Sequence, residues 1–565
     1  MLKRRALLGL FLLLSLPLLL WRWRAALWGL ALGLGWPRQR LRIVRGLRLP
    51  TSDGLLLACD HYAPRRAPRG PTLLIRTPYG RNGRMGAFGA LTDFCARRFA
   101  ERGYHVIVQD VRGRFDSQGA FSPYENERAD GLATLAWLRQ QDWYDGRVYM
   151  WGPSYLGIVQ WAIADAPDLA GLMPLVTSSR FERVALPDGV LDLGLALRWA
   201  ILLHLMEQPR YRRWWGQIRL LRDMERRAHA AWASLPVANA DLVALGQPVS
   251  FYRESLTTML DDPQRWQARF ASPNLGQVRA SVHLVGAWHD FFLRGMLDDY
   301  VALRRAGQRP RLTIHAGHHF SQLSMMLGTL RDAMRGFAQA DSAQPKVRLM
   351  VQRLGWRSLD DYPPPHQPRP FYLAAHGKLD EDRASGEPDE FIYDPADPTP
   401  AWGGPQFGFH AARVDGRKLE ARSDTLSYTS APLADGLTAI GAVRVVLVVR
   451  SSRLCADFYA RLSDVYPDGR SLLVCDGLAR LDDPQAAEAL GRGLYRLTID
   501  LWATAYRWWR GHRLRLLIGG GAHPRWARQL GGADRYRSTE LMPSERVIYH
   551  DEQRPSFLLL PWVSD

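Results

Sequence analysis

The stretch that decides the fold is residues 147–159, RVYMWGPSYLGIV. Its first half reads as a strand, and the SYLGIVQWAIADAP that begins in its second half reads as a helix stopped by Pro167. Ser154 therefore lies at a strand-to-helix turn, where a hydroxyl can point outward beside the free N–H groups of a helix start. The motif departs from the G-x-S-x-G nucleophile pattern, because Leu156 takes the place of the second glycine and Gly157 follows one residue later. From spacing alone, Ser154 is either a nucleophile or a small N-cap residue.

The chain around this turn alternates short apolar runs with helical patterns. TLLIRTPY and HVIVQDVRG read as strands, and DFCARRFAERGY and ENERADGLATLAWLRQQ read as helices. This alternation predicts a parallel α/β sheet. Residues 181 to about 275 lose the strand pattern and have apolar positions three and four apart, which indicates a helical insertion. The sheet resumes with SVHLVGAWHD and RLTIHAGHH.

After about Lys346 the pattern changes to short apolar runs separated by Gly, Pro and Asp turns, such as VRLMVQ, FYLAAH and HRLRLLIGGG. Such runs predict an all-β sandwich. The expected organisation is an N-terminal apolar segment (1–36), an α/β domain in two parts (45–180 and 276–345) with a helical cap between them (181–275), and a β-sandwich (346–565).

The first forty residues carry a targeting pattern. Basic residues 3–5 precede an apolar run over 6–21, and the sequence RWR separates it from a second apolar run over 25–36. We interpret this as an uncleaved membrane anchor, with a secretory signal cleaved after the weak site at residues 31–33 as the alternative. Seven arginines between Arg22 and Arg48 outweigh the three positive side chains before the segment, which favours a cytoplasmic body.

Composition excludes several other classes of protein. Lys and Arg outnumber Asp and Glu by 74 to 56 over 565 residues, but the charge is spread along the chain and no nucleic-acid motif accompanies it. We therefore expect no nucleic-acid partner. The four cysteines are far apart, without a C-x-x-C pair or a histidine at zinc spacing, so neither a metal site nor a disulfide framework is expected.

Two later positions complete a catalytic order. Asp290 ends the strand-like SVHLVGAWHD, and His318 and His319 follow the next predicted strand. Nucleophile, acid and histidine in this order are typical of α/β hydrolases. The alternatives are that Asp290 caps the following helix and that one histidine is a polar loop residue.

Several motifs together carry a family resemblance. One superfamily has these motifs in the order found here: RTPYGR, QDVRGRFDSQGAF, and DWYDGRVYMW followed by GPSYLG. Near the C-terminus come ARLSDVYPDGRSLLVCDG and IDLWATAYRWWRGHRLRLLI. The chain resembles, from about residue 45 to its end, the cocaine esterase and X-prolyl dipeptidyl peptidase superfamily, which includes α-amino acid ester hydrolases and glutaryl acylases. The resemblance implies an α/β-hydrolase domain with an inserted helical cap and a C-terminal jelly-roll sandwich.

The resemblance also assigns roles to residues. It makes Ser154 the nucleophile, Asp290 the acid and His319 the base, with His318 as competitor because the loop HAGHHF departs from the family form G-P-W-x-H. It places the oxyanion hole at the backbone N–H of Tyr155 and the hydroxyl of Tyr79 in RTPYGR, although Tyr79 could instead be a core aromatic. Three further residues resemble a buried turn that supports the site, without a chemical step: Asp110, Arg112 and Gly113.

The expected activity is serine-dependent hydrolysis of an ester, or of an amide, through an acyl-enzyme, without cofactor or metal. The alternatives are an X-Pro dipeptidyl aminopeptidase, an α-amino acid ester hydrolase or acylase, and a catalytically silent, membrane-tethered binding protein. Recognition of a substrate ammonium requires buried carboxylates, and the residues directly after Asp290, FFLR, supply none. This favours a small-molecule ester.

Overall fold

A computed structural model describes residues 25–268, 273–338, 346–383, 386–408 and 411–564. The first apolar run of the predicted anchor lies outside these ranges. Residues 25–31 are helical, with Ala26 buried and the ring of Trp28 edge-on to Phe94 at 5.4 Å. None of the helices in these ranges combines the length and the apolar character that crossing a membrane requires.

The first sheet runs through the N-terminal half in the order β1-β2-β4-β3-β5-β6-β7-β8-β9-β10. Its strands are Leu41–Pro50 (β1), Leu56–Pro64 (β2), Gly70–Thr77 (β3), His105–Asp110 (β4), Tyr144–Pro153 (β5), Leu169–Leu175 (β6), Ser281–His289 (β7), Arg311–His318 (β8), Val347–Val351 (β9) and Gly355–Leu359 (β10). Pairing is parallel from β4 through β3 to β9 and antiparallel at both edges. The carboxyl ends of the parallel strands therefore meet at one edge, where α/β folds bind ligands.

Helices connect these strands. The first three are Ala87–Ala100 (α1), Glu127–Leu138 (α2) and Tyr155–Trp161 (α3). The cap contains Glu182–Ala185 (α4), Leu193–Glu207 (α5), Pro209–Arg212 (α6), Trp214–Trp232 (α7), Ala240–Leu245 (α8), Ser250–Asp261 (α9) and Pro263–Ala268 (α10). Two more follow β7 and β8, namely Leu293–Arg305 (α11) and Gln322–Ala338 (α12). The helices from α4 to α10 lie between β6 and β7 of the first sheet.

The C-terminal part is almost entirely β structure. Its strands are Gln367–Ala374 (β11), Lys378–Asp380 (β12), Asp389–Tyr393 (β13), Thr425–Ser430 (β14), Leu437–Ser451 (β15), Asp457–Val465 (β16), Ser471–Arg480 (β17), Ala487–Gly491 (β18), Leu494–Trp508 (β19), Arg513–Gly519 (β20), Ser544–Tyr549 (β21) and Phe557–Val563 (β22), with one short helix, Arg417–Glu420 (α13). A separate apolar core lies among these strands. The predicted fold class, an α/β hydrolase followed by an all-β sandwich, is confirmed.

The boundary predicted at residue 346 differs from the structure. Strand β9 pairs in parallel with β8, with Leu312 opposite Val347, and β10 continues the same sheet. The first sheet thus extends to Leu359. The apolar run VRLMVQ has the pattern of a strand in either sheet, and only the choice of pairing partner distinguishes the two.

The cap packs against a loop of the C-terminal domain. The indole N–H of Trp526 donates to the carbonyl oxygen of Pro187 at 3.3 Å, and the N–H of Gly194 donates to the carbonyl oxygen of Pro524 at 2.8 Å. Trp526 is almost completely buried. The cap is therefore held from two sides, by the first sheet and by the C-terminal domain.

Candidate active site

Ser154 occupies a strained turn between β5 and α3. Its backbone angles are φ 57° and ψ −124°, which a residue with a side chain rarely adopts. The N–H of Ser154 donates to the carbonyl oxygen of Leu175 on the neighbouring strand at 2.9 Å, which fixes the turn to the sheet. This is the geometry of a nucleophile elbow, in which the serine hydroxyl projects from the top of the sheet.

The glycines around Ser154 explain the unusual motif. Gly152 has φ 148°, and a Cβ there would lie 2.6 Å from Cβ of Leu156. Gly157 packs against the segment just after β6, and a Cβ there would lie 2.2 Å from Cγ2 of Thr177. Close helix-to-strand packing therefore requires a glycine at 157, whereas position 156 accommodates leucine because Gly152 has no side chain.

Asp290 and His319 meet at the carboxyl edge of the sheet. Oδ2 of Asp290 lies 2.7 Å from Nδ1 of His319, and both side chains are 1% exposed. Oδ1 of Asp290 accepts the N–H of Phe292 at 2.8 Å. Asp290 thus makes the local contact expected of a residue before a helix, and its second oxygen remains available to orient the imidazole.

His318 has a different environment. Its Nδ1 accepts the N–H of Phe320 at 3.3 Å, and its own N–H donates to Oγ of Ser321 at 3.1 Å. Burial lowers the pKa of His318. The ring of His319, in contrast, packs on Phe291 with centroids 4.3 Å apart. Of the two histidines, His319 is the one bonded to Asp290.

Tyr79 and Ser154 line the same cavity. Its N–H donates to Oγ1 of Thr77 at 3.0 Å, and its hydroxyl oxygen accepts the indole N–H of Trp199 at 3.2 Å. Loss of solvent raises the pKa of Tyr79, and hydrogen bonding with Trp199 and with the side chain of Ser154 works against that rise. The hydroxyl of Tyr79 is therefore hydrogen-bonded to the cap, and its role as an oxyanion donor stays a prediction.

Tyr155 contributes its backbone and anchors the helix start. It is the first residue of α3, a position whose N–H has no intrahelical acceptor. Its buried hydroxyl donates to Glu127 at 2.7 Å and accepts the N–H of Tyr124 at 3.1 Å. Arg76 pairs with Glu127 at 2.8 Å. This buried network fixes the direction of the Tyr155 N–H.

The turn at residues 110–113 supports the loop that carries Tyr79. Asp110 pairs with Arg81, two residues after Tyr79, and burial raises the pKa of Asp110 to about 7. Arg112 pairs with Asp130 at 2.6 Å. Gly113 has φ 68°, and a Cβ there would lie 2.1 Å from the backbone nitrogen of Phe121. The turn makes no contact with Ser154 among these interactions, which agrees with a supporting role.

Ser154 lines a narrow cavity of about 80 Å³. Apolar side chains from the α/β domain, the cap and the C-terminal domain line most of it, including Ile158, Trp199, Phe251, Met259, Trp266, Phe292 and Phe407. Sequence reasoning missed Trp199, Phe251, Trp266 and Phe407. Phe407 lies in the proline- and glycine-rich loop PADPTPAWGGPQFG, whose composition was the one available signal for a loop with a special position.

Asp192 is the carboxylate among the residues that line this cavity. Its Oδ1 accepts the N–H of Leu195 at 2.8 Å, so it caps α5. Burial raises the pKa of Asp192 to about 7. A carboxylate in this state is a weak partner for a substrate cation below neutral pH, because a large fraction of it is protonated.

Comparisons with known proteins cover nearly the whole chain. The family model of the X-Pro dipeptidyl-peptidase (S15 family) matches residues 53–321, and that of the X-Pro dipeptidyl-peptidase C-terminal non-catalytic domain matches residues 339–559. Cocaine esterase from Rhodococcus sp. (strain MB1 Bresler) is 29% identical over 574 residues, which cover 92% of this chain and 98% of that protein.

Solved structures with the same architecture are more distant in sequence. An aminopeptidase from the marine sediment archaeon Thaumarchaeota archaeon aligns with a TM-score of 0.77 at 18% identity, over 93% of this chain and 97% of its own. An α-amino acid ester hydrolase aligns with a TM-score of 0.71 at 19% identity, with the same coverage. These two structures bear on the fold alone. Together, the fold, the family matches and the esterase relative show that the chain is a serine hydrolase that belongs to the cocaine esterase and X-Pro dipeptidyl peptidase superfamily.

Proposed function

We propose that Ser154 is the nucleophile for hydrolysis of carboxylic esters with an apolar acyl group. The observation that carries this proposal is the hydrogen bond between Asp290 and His319 at the same sheet edge as Ser154, whose strained turn opens into the cavity that Tyr79 also lines. A buried carboxylate bonded to Nδ1 of a histidine holds the imidazole in the tautomer that leaves Nε2 free to accept a proton.

The proposed reaction has two halves. Nε2 of His319 takes the proton of Ser154 as Oγ attacks the ester carbonyl, and the resulting oxyanion receives hydrogen bonds from the hydroxyl of Tyr79 and the N–H of Tyr155. His319 then returns the proton to the leaving alkoxide, and the acyl group stays on Ser154. Water, deprotonated by His319, hydrolyses that acyl-enzyme, and the carboxylic acid and free Ser154 are formed. Asp290 stabilises the imidazolium in both halves.

The cavity supports esters over substrates with a free amino terminus. Its lining is mainly aromatic and aliphatic, and its carboxylate, Asp192, already accepts a backbone hydrogen bond. An X-Pro dipeptidyl aminopeptidase remains the second candidate, because Asp192 is the side chain that could face a substrate ammonium. Comparing kcat/KM for p-nitrophenyl butyrate and Gly-Pro-p-nitroanilide separates the two candidates. A higher value for the anilide would reject the ester proposal.

A fluorophosphonate probe tests the residue assignments. We expect the adduct to map to Ser154, and Ser154→Ala to abolish both labelling and esterase activity. His319→Ala should slow labelling far more than His318→Ala, because only His319 is bonded to Asp290. Matched melting temperatures for the two histidine variants provide the folding control. An adduct on another serine, or equal losses in the two variants, would contradict the assignment.

We also propose that the N-terminal apolar segment holds the chain at a membrane. Leu27, Trp28, Leu30 and Trp36 lie in or just after the helical segment and are 44–62% exposed, which supports contact of this segment with lipid. Full-length chain should stay in the pellet after carbonate extraction of membranes. Deletion of residues 1–24 should release an enzyme with the same kcat/KM. Release of the full-length chain by carbonate would reject the anchor.

A deletion that extends to residue 36 is a different perturbation. The guanidinium of Arg98 donates to the carbonyl oxygen of Ala25 at 3.3 Å, and Arg102 donates to the carbonyl oxygens of Leu34 and Gly35 at 3.2 and 3.0 Å. Residues 25–35 thus pack on the end of α1. We expect the longer deletion to lower the melting temperature, whereas deletion of 1–24 leaves these contacts in place.

A further inference from the structure

Trp199 connects the cap to the hydroxyl of Tyr79. It lies on α5, and its indole N–H donates to the hydroxyl oxygen of Tyr79 at 3.2 Å. The indole ring stacks on that of Tyr155, with centroids 5.9 Å apart and an interplanar angle of 19°. It also contacts the ring of Phe251, with centroids 5.5 Å apart and an interplanar angle of 63°. These ring contacts fix the direction of the N–H. An indole nitrogen can donate a hydrogen bond but cannot accept one.

This single contact determines where the proton of Tyr79 can point. A phenol hydroxyl has one proton and two acceptor lone pairs. Because Trp199 donates to one lone pair, the O–H bond is directed away from the indole. Tyr79 and Ser154 line the same cavity, so the hydroxyl can donate to an oxyanion that forms there. A hydroxyl that accepts a hydrogen bond also becomes a stronger donor through polarisation.

Other contacts hold the loop but not the hydroxyl. Thr77 accepts the backbone N–H of Tyr79, Arg114 donates to the carbonyl oxygen of Pro78 at 3.0 Å, and Arg81 is bonded to Asp60 at 3.0 Å. These interactions fix the main chain and leave rotation about the C–O bond of Tyr79 free. The orientation of the O–H therefore depends on a partner for the hydroxyl itself.

We propose that Trp199 is a positioning residue for the oxyanion hole, which acts by aiming and polarising the hydroxyl of Tyr79. This inference rests on the proposed role of Tyr79 as an oxyanion donor. It gives the cap a second task besides lining the cavity, because a shift of α5 would remove a hydrogen bond on which the transition state depends. Trp199 itself does not contact the reacting atoms in this scheme.

The sharpest test replaces one atom group. Incorporation of β-(3-benzothienyl)alanine at position 199 exchanges the N–H for sulfur and keeps the bicyclic ring, and Trp199→Phe serves as the genetically encoded variant. We expect kcat for p-nitrophenyl butyrate to fall about five- to tenfold, the range of one neutral hydrogen bond, with KM changed less than about twofold for the benzothienyl variant. Unchanged kcat in the benzothienyl variant would overturn the proposal.

A double-mutant cycle shows whether the effect passes through Tyr79. In the Tyr79→Phe background, loss of the 199 N–H should have no further effect on kcat. Met259→Leu is the control, because it alters a part of the cavity wall outside the ring contacts of Trp199, and its effect on kcat should be the same in both backgrounds. Equal losses at 199 in the two backgrounds would overturn the proposal.

The outcomes also separate this inference from the proposed function. If Tyr79→Phe is costly and the benzothienyl variant is silent, only the role of Trp199 fails. If Tyr79→Phe itself is silent, the oxyanion role of Tyr79 fails, and the role of Trp199 fails with it. If Ser154→Ala retains activity, the nucleophile assignment fails first, before either residue is considered.

Discussion

Removing the hydroxyl of Tyr79 is the perturbation that most directly tests the chemistry of this site. Tyr79→Phe keeps the ring, which packs near Phe88 with centroids 5.7 Å apart, and deletes only the oxygen that accepts the Trp199 N–H. The packing of the loop should therefore be preserved. What changes is one donor to the oxyanion and one acceptor for a half-buried indole.

The two losses have different magnitudes and different readouts. Removal of one oxyanion donor costs about 100- to 1,000-fold in kcat, about 3 to 4 kcal/mol, because the charge develops only in the transition state. KM should change little. The indole N–H of Trp199 is left without its acceptor, which costs about 1 to 3 kcal/mol of folding free energy. We therefore expect a lower melting temperature together with the kinetic defect.

Steady-state hydrolysis of p-nitrophenyl butyrate and differential scanning calorimetry measure the two effects separately. Tyr428→Phe is a matched control, because it removes a buried hydroxyl that donates to Asp389 at 2.8 Å within the C-terminal domain. That variant should lose stability with unchanged kcat. A kcat within about threefold of wild type in Tyr79→Phe would refute the oxyanion role, since it is far smaller than the loss expected of such a donor.

Two further predictions concern buried groups near the site. Burial raises the pKa of Asp192 from the ordinary 3.8 to about 7. Between these pH values the folded protein keeps a proton on Asp192 that the unfolded chain releases, so the unfolding free energy falls as the pH rises from 3.8 to about 7. Asp192→Asn keeps a cap for the N–H of Leu195 but has no carboxyl group to titrate. The unfolding free energy of the variant minus that of wild type should therefore increase between pH 5 and pH 8. The same difference at pH 5 and at pH 8 would contradict this prediction. Gly157→Ala should lower the unfolding free energy by about 1 to 3 kcal/mol, because the added Cβ would collide with Thr177. Gly328→Ala is the control. It adds a Cβ at a helical glycine with nothing within 4 Å of the new carbon, so it should be neutral or stabilising. Equal unfolding midpoints in urea for the two glycine variants would argue against close packing at Gly157.

The order of elements and the catalytic triad candidates were predictable from the sequence because they depend on local chemistry. A buried parallel strand is a short apolar run, a helix has apolar residues three and four apart, and GPSYLG marks the turn between them. The order of Ser154, Asp290 and the histidine pair follows from polar residues at strand ends. None of these inferences requires knowledge of which strands are neighbours.

Choices between equivalent candidates needed the tertiary structure. His318 and His319 are adjacent and chemically identical, and only the path of the chain after β8 brings Nδ1 of His319 to Asp290. Likewise, VRLMVQ is a strand by its pattern, but its pairing with β8 depends on long-range contacts.

Local sequence is sufficient to predict the strand-to-helix turn at Ser154, the domain types and the kinds of residue at the sheet edge, because each is encoded within a few neighbouring positions. The surroundings of Ser154 depend on long-range contacts. Trp199 comes from the cap and Phe407 from the C-terminal domain, 45 and 253 positions away along the chain. Their approach results from burial of apolar surface between domains, a non-directional force that leaves no local motif.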